Sequence, residues 1–324
     1  AVKRKADECL ENEDSAAAAG IDVVAAPEGP LPAGPAPSGD AAIAASGVHL
    51  GRRFLGAAAA LRAAGPGQLQ VISDFDETLT RFVGADGGPV EQCHDIVLKR
   101  LASAEAARPG LVKDLQPLLD WTATPEATRM AQCGGCRVKR AQRTAWFNET
   151  FLQLAYAHRF WELVDGMVEQ SNTLLREGLS ETFAWLDAHD VPLLVVSAGI
   201  VQIIERLLRR DGAVLPSGTA ILANDLHDPA PRVTRATKAA AVQQVPEHVA
   251  RTAGRRCALV LGDKASDCDV AKGLDGACEV LKVGFLRGTP PPEEIVEFLQ
   301  HFDVALTGDA SMNFVNSLLK EIAS

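Results

Sequence analysis

The sequence predicts an α/β fold: a parallel, Rossmann-like sheet that carries the chemistry, with a helical cap domain inserted after the first strand of that sheet. Three observations predict it. A short apolar run (Leu69, Val71, Ile72) stops abruptly at two acids, Asp74 and Asp76. From Pro192 onward, apolar runs of strand length alternate with helical segments. Between the two, residues 90–177 carry apolar positions at helical spacing. Alternating strands and helices give a parallel sheet covered on both faces.

Residues 1–66 are of different material. Lys3-Arg4-Lys5 precedes an acidic run from Asp7 to Asp14, after which alanine, glycine and proline dominate to Gly67. Such a stretch has little to bury, so it is expected to be disordered apart from a helix around 51–64. The basic triplet is too short to specify a nuclear signal, and the acidic run is foreign to a transit peptide.

The run 69–76 reads as a buried parallel strand. Open α/β sheets bind ligands beyond the carboxyl ends of their strands, which puts Asp74 and Asp76 in that crevice. Side chains i and i+2 point the same way while extended geometry lasts. Two crowded carboxylates call for a cation or a shared proton. Taken alone, the pair also suits an acidic helix N-terminus.

Residues 67–89 and 178–324 are assigned to the core and 90–177 to the cap. Helices are predicted there at 96–107, 146–164 and 168–177, from apolar spacings such as Phe147, Phe151 and Leu154. Strands resume at 192–198, 219–224, 257–262, 279–285 and 303–307, with helices between them.

The remaining polar signals fall at strand ends. Ser197, Ala198 and Gly199 close one strand before a helix at 202–210, offering a hydroxyl and free N–H groups to a phosphate. Simple N-capping by Ser197 explains them equally well. Gly262-Asp263 closes another strand and Asp267 follows, either as a turn-and-cap pair or as part of a metal site. Lys238, in isolation, is an ordinary surface lysine.

The totals exclude some classes. A formal charge of −10 over 324 residues argues against a general nucleic-acid binder. No apolar run approaches a membrane span, so a soluble protein is expected. Seven scattered cysteines suit a reducing compartment better than a disulfide framework, so a cytoplasmic protein is expected. A monomer is expected as well.

Together, DxDxT, Ser, Lys and GDxxxD resemble the ordered motifs of haloacid-dehalogenase-like phosphatases. The closer resemblance, over about residues 68–323, is to the cytosolic 5′-nucleotidase III (pyrimidine 5′-nucleotidase) family. It rests on DFDETLTRF at 74–82, LLREG at 174–178, VPLLVVSAGI at 191–200, LKVGFL at 281–286 and residues 303–322. The 25-residue step from Lys238 to Asp263 also fits that family, and singles out this lysine.

The resemblance implies hydrolysis of nucleoside 5′-monophosphates, with pyrimidine bases preferred, through an aspartyl-phosphate. Asp74 would be the nucleophile, and Asp76 the acid for the leaving oxygen and then the base for water. Mg²⁺ would be held by Asp74, the Asp76 carbonyl and Asp263, with Asp267 behind it or bound through water. Ser197, Ala198, Gly199 and Lys238 would bind the phosphate, and Thr78 would steady the nucleophile loop.

Departures bear on the substrate. The family's base-reading glutamate aligns with Leu118, with Asp120 as a substitute if the register slips. Trp121, Trp146 and Phe147 are candidates for stacking on a base, or for core packing. An insertion at 130–143 carries Cys133 and Cys136, a CxxC without a second ligand pair. Lys264-Ala265-Ser266 replaces a small polar run in the last motif. Two rivals stay open, a phosphoserine or sugar-phosphate phosphatase and a catalytically silent scaffold. Phosphoryl transfer to a second nucleoside is also open.

Overall fold

The computed structural model describes residues 47–100, 105, 108–124, 128, 137–234, 237–274 and 278–324. The expected disorder of residues 1–46 and the Cys133–Cys136 loop lie outside them.

The strands are β1 (Val48–Leu50), β2 (Leu69–Ser73), β3 (Leu193–Ile200), β4 (Thr219–Asn224), β5 (Cys257–Gly262), β6 (Glu279–Arg287) and β7 (Val304–Gly308). They form one seven-stranded sheet in the order β1-β7-β6-β5-β2-β3-β4. From β2 to β7 all pairings are parallel; β1 alone runs antiparallel, on β7. All of β2 and β5 is buried, as expected of central strands covered on both faces. β4, at the other edge, is half-buried over most of its length.

Alternation along the strands sorts the core. Leu69, Val71, Leu193, Val195, Leu259 and Leu261 pack on one face. The same layer takes in α1 (Phe54–Ala64), α6 (Leu179–Ala188), α7 (Val201–Arg210) and α10 (Asn313–Ile322). Ile72, Leu194, Val196 and Val260 face the other way, against Val233, Ala241, Val242, Val245 and Val270. Truncating a buried leucine here, such as Leu259→Ala, would cost about 2–5 kcal/mol.

The remaining helices of the insertion are α2 (Cys93–Leu98), α3 (Leu111–Ala123), α4 (Arg137–Ala157) and α5 (Val164–Glu169); α8 (Pro246–Thr252) and α9 (Pro292–Phe298) complete the set. Buried side chains of α3 and α4, among them Leu115 and Phe151, belong to the same apolar layer as the first face of the sheet.

Four expectations are corrected. Residues 47–64 are folded rather than part of a disordered tail: the expected helix forms, and β1 before it closes the sheet edge, with Gly51 N–H donating to Asp303 O at 2.8 Å. A single helix over 146–164 breaks after Ala157, where Arg159 takes a left-handed φ of 54°. The helix over 168–177 ends at Glu169, because the following backbone is claimed elsewhere. Leu175 bridges Thr80, and Arg176 N–H donates to Leu79 O at 2.8 Å. Of the helix expected at 96–107, α2 ends at Leu98 and residues 99–100 form a turn; residues 101–104, 106 and 107 lie outside those described.

Candidate active site

The sheet order puts β2 between β3 and β5, where successive connections leave in opposite directions. Ser73 is level with Val195 on β3 and Leu261 on β5. Asp74, Ser197 and Asp263 therefore leave the sheet at one edge, the crevice expected at such a switch point.

β2 ends at Ser73, and the next five residues fold back on themselves. Asp74 N–H still donates to Leu261 O at 3.0 Å, and Phe75 O accepts from the N–H groups of Thr78, Leu79 and Thr80. Glu77 sits at φ 64°, unusual for a residue with a Cβ, and its N–H donates to Thr80 Oγ1 at 2.7 Å. The loop is clamped from outside by Arg176. That guanidinium is wholly buried and donates to the carbonyls of Thr78, Glu77 and Thr80 at 2.8–2.9 Å. Its plane lies 4.1 Å from the Phe285 ring centre. Burial brings Arg176 down to about 10, leaving it charged at neutral pH. Sequence reasoning gave this residue no role.

Lys238 stands between two acids, with Nζ 3.0 Å from Asp74 and 2.7 Å from Asp267. Burial works against its ammonium, but the two carboxylates outweigh it and hold the charge firmly on. Asp267 spends its other oxygen on the N–H groups of Asp263 and Lys264, at 2.9 and 2.8 Å. A Cβ at position 262 would run into the Asp267 side chain, which makes glycine the residue that lets this acid approach. Asp74 is pushed up by burial, against the pull of Lys238. Asp76 rises to about 7, first through burial and then through the charge of Asp74.

Carboxylate oxygens of Asp74, Asp263 and Asp267 lie within 4.8 Å of one another. Asp263 Oδ1 is buried and has no hydrogen-bond partner, and burial lifts this carboxyl well above the usual range. An orphaned buried oxygen beside a second carboxylate is a donor set suited to a hard divalent cation. Lys264, the departure in the last motif, pairs with Asp263 Oδ2 and lies 3.7 Å from Glu77.

A cavity of about 150 Å³ opens here. Asp74, Asp76, Ser197, Ala198, Gly199, Lys238 and Asp267 line it, so the sequence-chosen acids, hydroxyl and lysine meet in one place. Thr78 lies behind, buried, with Oγ1 unpartnered. Residues 77–323 match the pyrimidine 5′-nucleotidase (UMPH-1) family.

The chain belongs to that family.

It is a 5′-nucleotidase of the haloacid-dehalogenase type, a phosphoric monoester hydrolase. Among curated relatives, the chicken (Gallus gallus) 7-methylguanosine phosphate-specific 5′-nucleotidase is 26% identical over 83% of this chain and 93% of its own length. The human enzyme of the same name is 26% identical over 81% and 87%. A crystal structure of cytosolic 5′-nucleotidase IIIB bound to cytidine shares the fold, with a TM-score of 0.67 at 20% identity, covering 87% of this chain and 94% of that one. The family match begins at Glu77, just after Asp76.

The residues expected to read a base do not line the cavity. Leu118 is wholly buried in the apolar core, so the position aligned with the family's glutamate offers nothing to a ligand. Asp120 is exposed and accepts from Gln116 Nε2 at 2.8 Å. Trp121 and Trp146 pack edge to face with ring centres 6.3 Å apart, and Phe147 stacks on Phe151. Other residues face the cavity instead: Gln92 and His94 at the start of α2, and Thr144 and Asn148 one turn apart on α4. Sequence reasoning passed them over. The i, i+4 spacing of Thr144 and Asn148 placed them on one face, but nothing told that face from a solvated one.

Proposed function

We propose that this 5′-nucleotidase hydrolyses nucleoside 5′-monophosphates through an aspartyl-phosphate on Asp74, with Mg²⁺ as its ion. One observation carries the reading: Asp74, Asp76, Ser197 and Lys238 converge on a single cavity. Asp74 Oδ forms a bond to phosphorus as the bond to the 5′-oxygen breaks, and that oxygen takes the leaving electron pair and a proton from Asp76. Asp76 then removes a proton from the water that releases phosphate. Its position near pH 7 suits a group that gives and takes a proton in one cycle. Lys238, kept charged by Asp74 and Asp267, would bind the phosphate oxygens together with Ser197 and the Ala198 N–H, while the Gly199 N–H donates to Ser197 Oγ at 3.0 Å. Asp74, Asp263 and the Asp76 carbonyl would hold Mg²⁺, which when bound neutralises charge between nucleophile and phosphate. Asp267 acts by orienting Lys238 and the 263–264 backbone.

We read residues 90–177 as a cap over the crevice, since Gln92, His94, Thr144 and Asn148 all come from it. These four are neutral, His94 because burial pulls it down to about 4. A neutral wall favours a ribose and base over the paired charges of phosphoserine, which ranks that phosphatase reading second. The family's name points to pyrimidine nucleotides and the relatives' names to 7-methylguanosine phosphate, so CMP and 7-methylguanosine monophosphate are the substrates to compare. We further propose a cytoplasmic monomer. Among the described residues the buried thiols of Cys93, Cys257 and Cys268 are free, and no helix is long and apolar enough to cross a membrane. Phosphate release from CMP, 7-methylguanosine monophosphate, AMP and phosphoserine tests the assignment. Phosphoserine turned over faster than every nucleotide would reject it.

A further inference from the structure

Cys93 is a buried thiol for which the reaction above has no use. It opens α2, and its backbone N–H and its Sγ both lie on the same oxygen of Asp76, Oδ1, at 3.2 and 3.3 Å. The sulfur reaches that position because residue 199 is glycine. A Cβ there would lie 2.7 Å from Cys93 Sγ and 3.0 Å from Ser197 Oγ. Cys93 is thus wedged between the phosphate-facing turn of β3 and the Asp76 carboxyl, with no exposed surface. A thiol with its sulfur on a carboxylate oxygen donates its S–H there.

We propose that Cys93 is a positioning residue that fixes the Asp76 carboxyl and decides which of its oxygens handles the proton. Two donors on Oδ1 leave Oδ2 as the oxygen that carries the proton toward the leaving group. In the first half-reaction the Oδ2–H bond breaks and the proton goes to the departing 5′-oxygen. In the second, Oδ2 takes a proton from the attacking water. Cys93 exchanges neither proton nor electrons in either step. The inference rests on the acid–base reading of Asp76, and its test separates the two.

The readout is the first turnover, in which the aspartyl-phosphate forms, followed in the full chain with Mg²⁺ present. Two substrates are compared. CMP expels an alkoxide that needs the proton, and p-nitrophenyl phosphate expels a phenolate that does not. Cys93→Ala, which removes the thiol donor, should slow the first turnover of saturating CMP about tenfold, with the half-saturating CMP concentration within about twofold, and that of p-nitrophenyl phosphate by less than about twofold. Cys93→Val, which fills the space without a donor, should repeat that pattern. Cys93→Ser, which keeps a donor, should stay within about threefold of wild type on both substrates. Equal losses on the two substrates, or no loss on either, would overturn the positioning role. Asp76→Asn is the reference. If it shows the leaving-group dependence and Cys93→Ala does not, the role of Cys93 falls alone; if Asp76→Asn shows none, the reading of Asp76 falls and takes Cys93 with it.

Discussion

In the mechanism we propose, Asp74 and Lys238 form the pair on which the chemistry turns; they lie 3.0 Å apart and both are buried. Asp74→Asn should lower phosphate release at least about a thousandfold, since a neutral amide cannot form the covalent intermediate. Single-turnover assays at enzyme excess check this, and near-normal rates would contradict it. Gly262→Ala makes a subtler case at the same scale. Its methyl group would displace Asp267 and, through Asp267, Lys238. We expect about 1–3 kcal/mol of lost stability together with a rise in KM, measurable by urea melts and initial rates. These residues were legible in the sequence because chemistry at a strand end interrupts an apolar run, and few structural needs put acids there. Gln92, His94, Thr144 and Asn148 were not legible. Polar residues on helices look alike whether they face water or a cavity, and only tertiary packing tells them apart.

At the scale of elements, the loop after β2 is held less by its own residues than by Arg176, 98 positions from Thr78, whose carbonyl it binds. Arg176→Met keeps length and apolar stem but strands three buried carbonyls. It should destabilise the fold by about 3–5 kcal/mol and lower kcat more than the melting shift alone would. Arg176→Lys should rescue little, since one ammonium cannot replace a planar fork of donors. Thermal melts and kcat on the soluble variants check both, and a loss under about 1 kcal/mol would contradict the clamp. This element is also where the sequence reading of a helix over 168–177 went astray. The apolar spacing was real, but the hydrogen bonds that Leu174 O and Arg176 N–H make with Arg81 and Leu79 overrode a local preference worth only tenths of a kcal/mol per residue. The later parallel strands were readable to within a residue or two because they are buried and so continuously apolar, whereas the strand expected over 69–76 ends at Ser73, where the chain turns back on itself. β1 was not readable, because three residues at a sheet edge carry almost no periodic signal.

For the molecule as a whole, buried histidines set an acid limit. His248 sits on α8 beside Gln70 of β2, with Nε2 3.2 Å from Gln70 Oε1, and burial pulls it down to about 4. A free histidine titrates near 6.5, so the unfolded chain binds this proton first. The stability that His248 provides is fully present above about pH 6.5, falls as pH drops toward 4, and is flat below. The loss at the floor is on the order of 2–3 kcal/mol. His248→Gln should flatten the dependence of unfolding free energy on pH between 7 and 4.5 relative to wild type, a comparison in which the other titrating groups cancel. Parallel pH curves would contradict it. The sheet order itself, with β2 at the switch point between β3 and β5, is what turns acids scattered over two hundred residues of sequence into one site. Strand–helix alternation announced the parallel sheet but not its order, which long-range pairing decides.

The most direct test of phosphoryl transfer through Asp74 is to trap the intermediate. Enzyme mixed with 5′-³²P-labelled CMP and Mg²⁺ and quenched in acid within the first turnover should carry label on one aspartyl residue, located at Asp74 by peptide mapping and absent from Asp74→Asn or after EDTA. Turnover of CMP with no label on the protein, or label that persists in Asp74→Asn, would contradict the account.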